Sequence, residues 1–427
     1  MIASGQILAG TAQADITPEP GIELCGFAVR PQPSASVLDR LAVRALYLEN
    51  GPERFLWLHA DLLALDRQMV ARIRKRIEVE AGIAAGRLMV SATHTHSGPG
   101  TIRLTGCGQP VPAYMAWVEG QFAAAARGAL SQCEPCEVWA AEGRCELAVD
   151  RRGFASAHTD PRVGAMAWRR KDGSFKAVVL SYAMHAVCLR GTGISADWPG
   201  ESARVLSQSL PGGPVVLACA GACCNLDPPS VGVAAPQMRE WGRQIATSIL
   251  PESAFVPVAP VCPDQSLLKV RRRLVTLPLE PSSSQEVMRY ADACLAEAAG
   301  HRQFGPKFRL AVETWRHEMM PRLADGRLPS AEVELFGLAL GKVVFVGVNA
   351  EISSRFGTLI RANGARAVYP VSCANGMIGY VPTLEAYDEG GYEVDWAMLF
   401  YSMLRPKRGS LELLVQNAGA LVADVAG

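Results

Sequence analysis

The sequence predicts an α/β protein, and three observations predict it. Short runs of Val, Leu and aromatic residues alternate with segments whose apolar residues recur every three or four positions. Turn signals such as Asn50-Gly51-Pro52 and Lys171-Asp172-Gly173 separate them. The chain is 49% apolar and only 19% charged over 427 residues, which provides for the large core that layered sheets and helices need.

Taken in order, residues 43–48 and 55–61 read as two strands around Asn50-Gly51-Pro52. A helix follows through Met69, Val70, Ile73 and Ile77, ending near Gly82. Residues 88–93 form a strand. A second helix carries Met115, Val118, Phe122, Ala125 and Ala129 on one face. Residues 164–169 and 176–182 flank Lys171-Asp172-Gly173 as a hairpin, with His185 just past its second strand. Residues 214–220 are a buried strand that opens into Gly221-Ala222-Cys223-Cys224-Asn225-Leu226-Asp227-Pro228. Residues 333–340 and 343–348 make another hairpin around Gly341-Lys342, followed by Asn349-Ala350-Glu351 and a helix. The Pro- and Ser-rich stretches 251–264 and 281–284 read as excursions within one domain, 1–427.

A formal net charge of +1 argues against a nucleic-acid partner. Arg271-Arg272-Arg273 and Arg169-Arg170-Lys171 are short, and read as sheet ends or turns rather than phosphate-binding stripes. No export signal and no apolar stretch of about 20 residues is apparent, so membrane insertion is not expected. A cytoplasmic protein with reduced thiols fits the twelve cysteines better than a disulfide framework. Cys133 and Cys136, with Cys145 nearby, read as buried thiols rather than a metal clip.

The chemistry concentrates in Thr93-His94-Thr95-His96-Ser97-Gly98-Pro99-Gly100. Side chains at i and i+2 of an extended strand share a face, so two imidazoles are expected to emerge together at the strand end. Gly98 and Gly100 then let backbone approach closely. Neutral imidazole is the commonest protein ligand for zinc, and the alternative is a hydrogen-bonded structural pair. Two of only seven histidines lie in this segment. Every other candidate for chemistry also sits at a strand end, where rigid strands aim the residues that follow. His59, His158, His301 and His317 read as surface or packing residues.

With these segments in hand, the chain resembles the neutral/alkaline (non-lysosomal) ceramidase family. The resemblance rests on four ordered motifs. Gly10-Thr11-Ala12-Gln13-Ala14-Asp15-Ile16-Thr17-Pro18 looks like the family's opening segment, and Thr93 to Gly100 looks like its hallmark. Ala350-Glu351 before a helix is similar to its Gly-Glu-Phe segment. Gly379-Tyr380-Val381-Pro382-Thr383-Leu384-Glu385-Ala386-Tyr387, with Tyr392-Glu393 beyond, is similar to its last motif. The resemblance implies one zinc ion held by His94, His185, Glu351 and Tyr380, with His96 hydrogen-bonding substrate or zinc-bound water. It further implies Tyr392 as an oxyanion stabiliser and Arg151 as a substrate-binding residue. Taken without the resemblance, His185 reads as a core histidine, Glu351 as a helix N-terminal carboxylate and the tyrosines as half-buried aromatics.

Two departures bear on specificity. The family's catalytic serine loop reads Cys224-Asn225-Leu226-Asp227-Pro228 here, placing Asp227 where the serine stands. A carboxylate there acts as a general base or orients a water. The family's C-terminal immunoglobulin-like domain has no counterpart in these 427 residues. The expectation is therefore mixed β-sheets sandwiched between helices, carrying a zinc hydrolase that cleaves an amide by attack of a metal-bound water. Its substrate is expected to be a small soluble molecule rather than ceramide, and the sequence leaves a homo-oligomer open. Four alternatives stay open: an esterase or lactonase using the same zinc, a cysteine nucleophile at Cys223 or Cys224, a non-catalytic binding protein, and an amidohydrolase-type barrel.

Overall fold

The computed structural model describes residues 6–28, 30, 32–261, 266–281, 283–300, 305–324, 328–362, 364 and 367–426. One large sheet runs in the order Val215–Ala220, Phe175–Tyr182, Arg162–Arg169, Glu134–Arg144, Gln6–Asp15, Ala42–Asn50, Glu53–Ala60 and Leu88–Ala92. The short strand Val256–Pro257 pairs beside Glu134–Arg144. Its two outermost pairs are parallel and the inner ones antiparallel, so the sheet is mixed. A second sheet runs Val368–Val371, Val343–Val348, Ser330–Leu340, Leu268–Glu280 and Arg405–Pro406.

The sheets pack face to face through fully buried aromatics. The Phe55 ring meets Phe336, and Trp57 meets Phe345 edge-on, each at 5.8 Å between ring centroids. Burying a phenylalanine completely stabilises by about 1.5–3 kcal/mol, so these contacts fix the layers against each other. Helices cover the outer faces. Arg67–Ala81 and Pro112–Ser131 lie over Val43, Leu56 and Val90, while Asp197–Ser209 and Ala235–Thr247 lie over Val178, Leu180 and Val216. Ser410–Ala426 and Arg355–Ala362 close the second sheet. The expected mixed sheets between helices are present, with the two sheets also stacked on one another. Among the described residues no helix is long and apolar enough to cross a membrane.

The expected elements form where their local signals lie. Asp66 caps its helix by accepting from the Met69 amide at 2.6 Å, and the helix ends before Gly82. Arg271, Arg272 and Arg273 differ from expectation. They lie inside the 13-residue strand Leu268–Glu280 rather than at a sheet end, and Arg272 pairs with Glu334. The stretches 251–264 and 281–284 each include residues outside the described ones.

What positions the site is the twist of the large sheet. In a flat sheet the edge strands Val215–Ala220 and Leu88–Ala92 would run in opposite senses. Seven inter-strand steps along this order, at about 25° each, turn one edge by roughly 175° relative to the other. The two carboxyl ends therefore meet. His59 bridges the closure, with Nε2 3.0 Å from the Ala218 carbonyl and Nδ1 2.8 Å from the Ser91 hydroxyl.

Candidate metal centre

The strand Leu88–Ala92 stops two residues before His94, and His94 itself has a left-handed backbone, φ +62°. Such a conformation costs a non-glycine residue on the order of 1–3 kcal/mol, so its surroundings must hold it. His94 Nδ1 lies 2.9 Å from the Leu63 carbonyl and 3.3 Å from the Cys373 sulfur. The extended-strand account of His94 and His96 is thus corrected. Their rings come together edge-on, centroids 5.0 Å apart, because the backbone kinks after the strand has ended.

His185 follows the strand Phe175–Tyr182, and its Nδ1 lies 3.1 Å from the Leu226 carbonyl. A carbonyl only accepts, so both His94 and His185 carry a proton on Nδ1 and turn a bare Nε2 the other way. Both Nε2 atoms face one oxygen. Glu351 Oε2 lies 3.0 Å from His185 and 3.3 Å from His94. Two lone pairs and a carboxylate oxygen, all out of water, repel unless a cation, either a metal ion or a proton, sits among them. Burial alone would raise the Glu351 carboxyl, but the two imidazoles pull it well below the usual carboxylate range. Burial lowers His94, and the Glu351 charge more than reverses that.

His96 completes the group. Ligand nitrogens of His94, His96 and His185 lie within 4.8 Å of one another. Both ring nitrogens of His96 are buried without a hydrogen-bond partner. Burial, His94 and His185 together hold its pKa well below the ordinary value, so the ring stays neutral. Gly26 makes its space. With φ +111°, a Cβ at that position would lie 2.4 Å from His96 Nδ1. The orphaned nitrogens and the shared carboxylate fit a metal ion, and the fit comes from this chain's own donors.

Tyr380 is brought to Glu351 by a two-residue parallel ladder in which Glu351 pairs with Tyr380 and Ile352 with Val381. Burial and the Glu351 charge push its phenol well up. Arg151 donates to Glu393 at 2.8 Å and to Asp227 at 3.2 Å, and its guanidinium lies over the Tyr392 ring at 5.6 Å. Burial would lower Arg151, but Asp227, Tyr380 and Glu393 hold it charged. Asp227 sits behind His185, 3.7 Å from Nδ1, on the side away from Glu351. Tyr392 meets Tyr380 edge-on at 5.6 Å.

Residues 7–211 match the neutral/alkaline non-lysosomal ceramidase family, N-terminal. Solved structures extend the likeness of fold to the rest. The neutral ceramidase from Pseudomonas aeruginosa has a TM-score of 0.74 at 18% identity, over 100% of this chain and 76% of that one. A ceramidase complexed with C2 gives 0.73 at 17% identity, over 98% of this chain and 76% of that one. No curated protein matches the chain.

The ceramidase-like motifs thus converge: His94, His96, His185, Glu351 and Tyr380 line one centre, and Arg151, Asp227 and Tyr392 surround it. Sequence reasoning missed Tyr401, whose hydroxyl donates to Glu351 Oε1 at 2.5 Å. It gave Glu393, though part of the last motif, no role, and it also missed Gly26 and Cys373. Nothing in their spacing marks them, because each reaches the centre through a turn rather than a periodic element. Of the other histidines, His59 is buried, His158 meets the Ser354 hydroxyl at 2.8 Å and His317 is exposed. His301 lies outside the described residues.

Proposed function

We propose that this protein is a zinc-dependent hydrolase that cleaves the amide bond of a small soluble N-acyl substrate. The observation that carries the reading is the pair of backbone-anchored imidazoles whose bare Nε2 atoms face one buried oxygen of Glu351. His94, His185 and Glu351 would hold the ion, with Tyr380 beside Glu351 as the fourth ligand. Zinc there supplies a Lewis acid and a water made acidic toward pH ~7. The amide reading is supported by the family, which is named for cleavage of ceramide, itself an amide.

The chain's own residues account for the proton traffic. Neutral His96 has one nitrogen able to accept a proton and one able to donate, both free of other partners. It takes the proton of the attacking water and hands it to the leaving nitrogen. Tyr392 stays a phenol, since burial raises it, and donates a hydrogen bond to the oxyanion. Arg151 holds the Tyr392 ring from one side and Asp227 from the other. Asp227 lies 3.7 Å from His185 Nδ1, whose proton goes to the Leu226 carbonyl. Its carboxylate therefore acts on that ring through charge rather than a hydrogen bond, a role open to a carboxylate in place of the family serine. Cys223 and Cys224 are fully buried, and burial pushes both thiols well up, against a thiolate nucleophile.

A panel of soluble N-acyl amides against long-chain ceramide, after zinc reconstitution, tests the reading. Faster turnover of the soluble amides is expected. Faster turnover of ceramide would overturn the substrate class, and no amide hydrolysis at all would overturn the activity.

A further inference from the structure

Beside His96 lies a second group of unanswered charges. Arg30 is 6% exposed, yet among the described residues it has no acidic partner. Its Nε donates to the Gly191 carbonyl at 3.0 Å and one terminal nitrogen to the His96 carbonyl at 2.8 Å. The other, Nη1, is buried with no partner at all. Burial lowers its guanidinium to about 10, and the like charge of Arg190 adds to that. Arg30 and Arg190 both lie against the Phe27 ring, at 5.2 and 5.6 Å, and Phe27 in turn packs on His96 at 5.0 Å. Lys307 donates to the Arg30 carbonyl and lines the same small cavity as Arg30 and Phe27. The acid lining that cavity, Glu23, is exposed and accepts from the Gln109 amide at 2.9 Å.

A buried guanidinium is costly unless paired. Two cations, Arg30 and Lys307, line one cavity, a third, Arg190, lies against the Phe27 ring that also lines it, and the buried Arg30 N–H left over lacks an anion. We infer that Arg30, Arg190 and Lys307 form a subsite for an oxyanion carried by the substrate, so that the scissile amide at the metal centre belongs to a molecule bearing a carboxylate or phosphate. Guanidinium and ammonium groups recognise both through charge-assisted hydrogen bonds. The inference rests on the proposed amide hydrolysis and names its substrate class. Phe27 separates the subsite from His96 by one aromatic ring, which sets the anion a short linker away from the amide.

The test is calorimetric binding to the chelator-treated full chain of N-octanoylglycine, N-octanoyl-O-phosphoethanolamine and the neutral N-octanoylethanolamine. Hydrolysis of the same three by the zinc-loaded protein follows. At least one anionic probe is expected to bind about 10–100-fold more tightly than the neutral one, as a hydrogen bond to a charged group allows. That preference should fall by about tenfold in the Arg190→Met/Lys307→Met double variant. Both residues are exposed, so the variant should fold, and its melting temperature checks that. Arg30→Met should lose still more. Whichever anion binds tighter assigns the group as carboxylate or phosphate. Equal binding of all three probes, or a preference that survives the double variant, would overturn the subsite. Preferential binding without hydrolysis would keep the subsite and remove the amide-hydrolase reading. Hydrolysis of all three with equal kcat/KM and equal binding would do the reverse.

Discussion

Glu334 and Glu351 are both buried carboxylates carried by the second sheet and the turn after it, 5% and 2% exposed. Their surroundings differ in kind. Glu334 is saturated: Arg74 clasps both its oxygens at 2.6 and 3.0 Å, Arg272 adds a contact at 2.9 Å, and the Asn375 amide donates at 2.7 Å. Glu351 meets no cation side chain. It has a tyrosine hydroxyl on one oxygen and two bare imidazole nitrogens on the other, with a third imidazole orphaned beside them. The first arrangement answers its carboxylate from within the chain and is structural. The second is complete only with something added. Burial therefore does not distinguish a functional carboxylate from a structural one, whereas unanswered polarity does.

The comparison can be broken most forcefully at Glu351. Glu351→Gln should lower hydrolysis by more than about 10³-fold, beyond what one lost oxyanion donor usually costs. Chelator competition should show metal affinity lost with it, while folding persists. Glu334→Leu should do the opposite. It strands Arg74 and should cost about 3–5 kcal/mol in denaturant unfolding, yet leave the metal per folded chain unchanged. His96→Ala sharpens the division within the centre. The metal should stay bound while kcat falls by about 10²–10³-fold, since His96 is assigned to substrate and proton transfer. Tyr401→Phe removes only the hydrogen bond behind Glu351, and metal affinity should drop about 10–100-fold, as for other partners of metal ligands.

The smallest effect is in pH. Without metal, His94 has a raised pKa because of Glu351, although burial opposes it. Protonated His94 then stabilises the fold, fully below the unfolded value of about 6.5, and this is lost as pH rises through the higher folded value. Metal requires the deprotonated ring, so its affinity rises over the same window. Melting curves with chelator should therefore fall with rising pH while the gain on adding zinc grows. A zinc-dependent gain that shrinks with rising pH would contradict the assignment of His94.

Much of this was legible in the sequence, and the part that was not shares a physical cause. The hairpin at Gly51, the helix between Asp66 and Gly82 and the strand before His185 all follow from local patterns. The ordered motifs group His94, His185, Glu351 and Tyr380 as what the family resemblance implies. What escaped depends on distant parts of the chain. The closure of the large sheet on itself arises from twist accumulated over many strands, which no window of sequence records. The kink at His94 is held by Leu63 and Cys373, so the two rings meet through a bend that a strand-based reading of the pair does not contain. Tyr401 and Arg30 enter through turns, where side-chain direction has no period to betray it.

The most direct test of the central claim is metal content by mass spectrometry on wild type, His94→Ala and His185→Ala. About one zinc per chain in wild type, lost in both variants, is the predicted result. No bound metal in wild type, even after reconstitution with zinc, would contradict it.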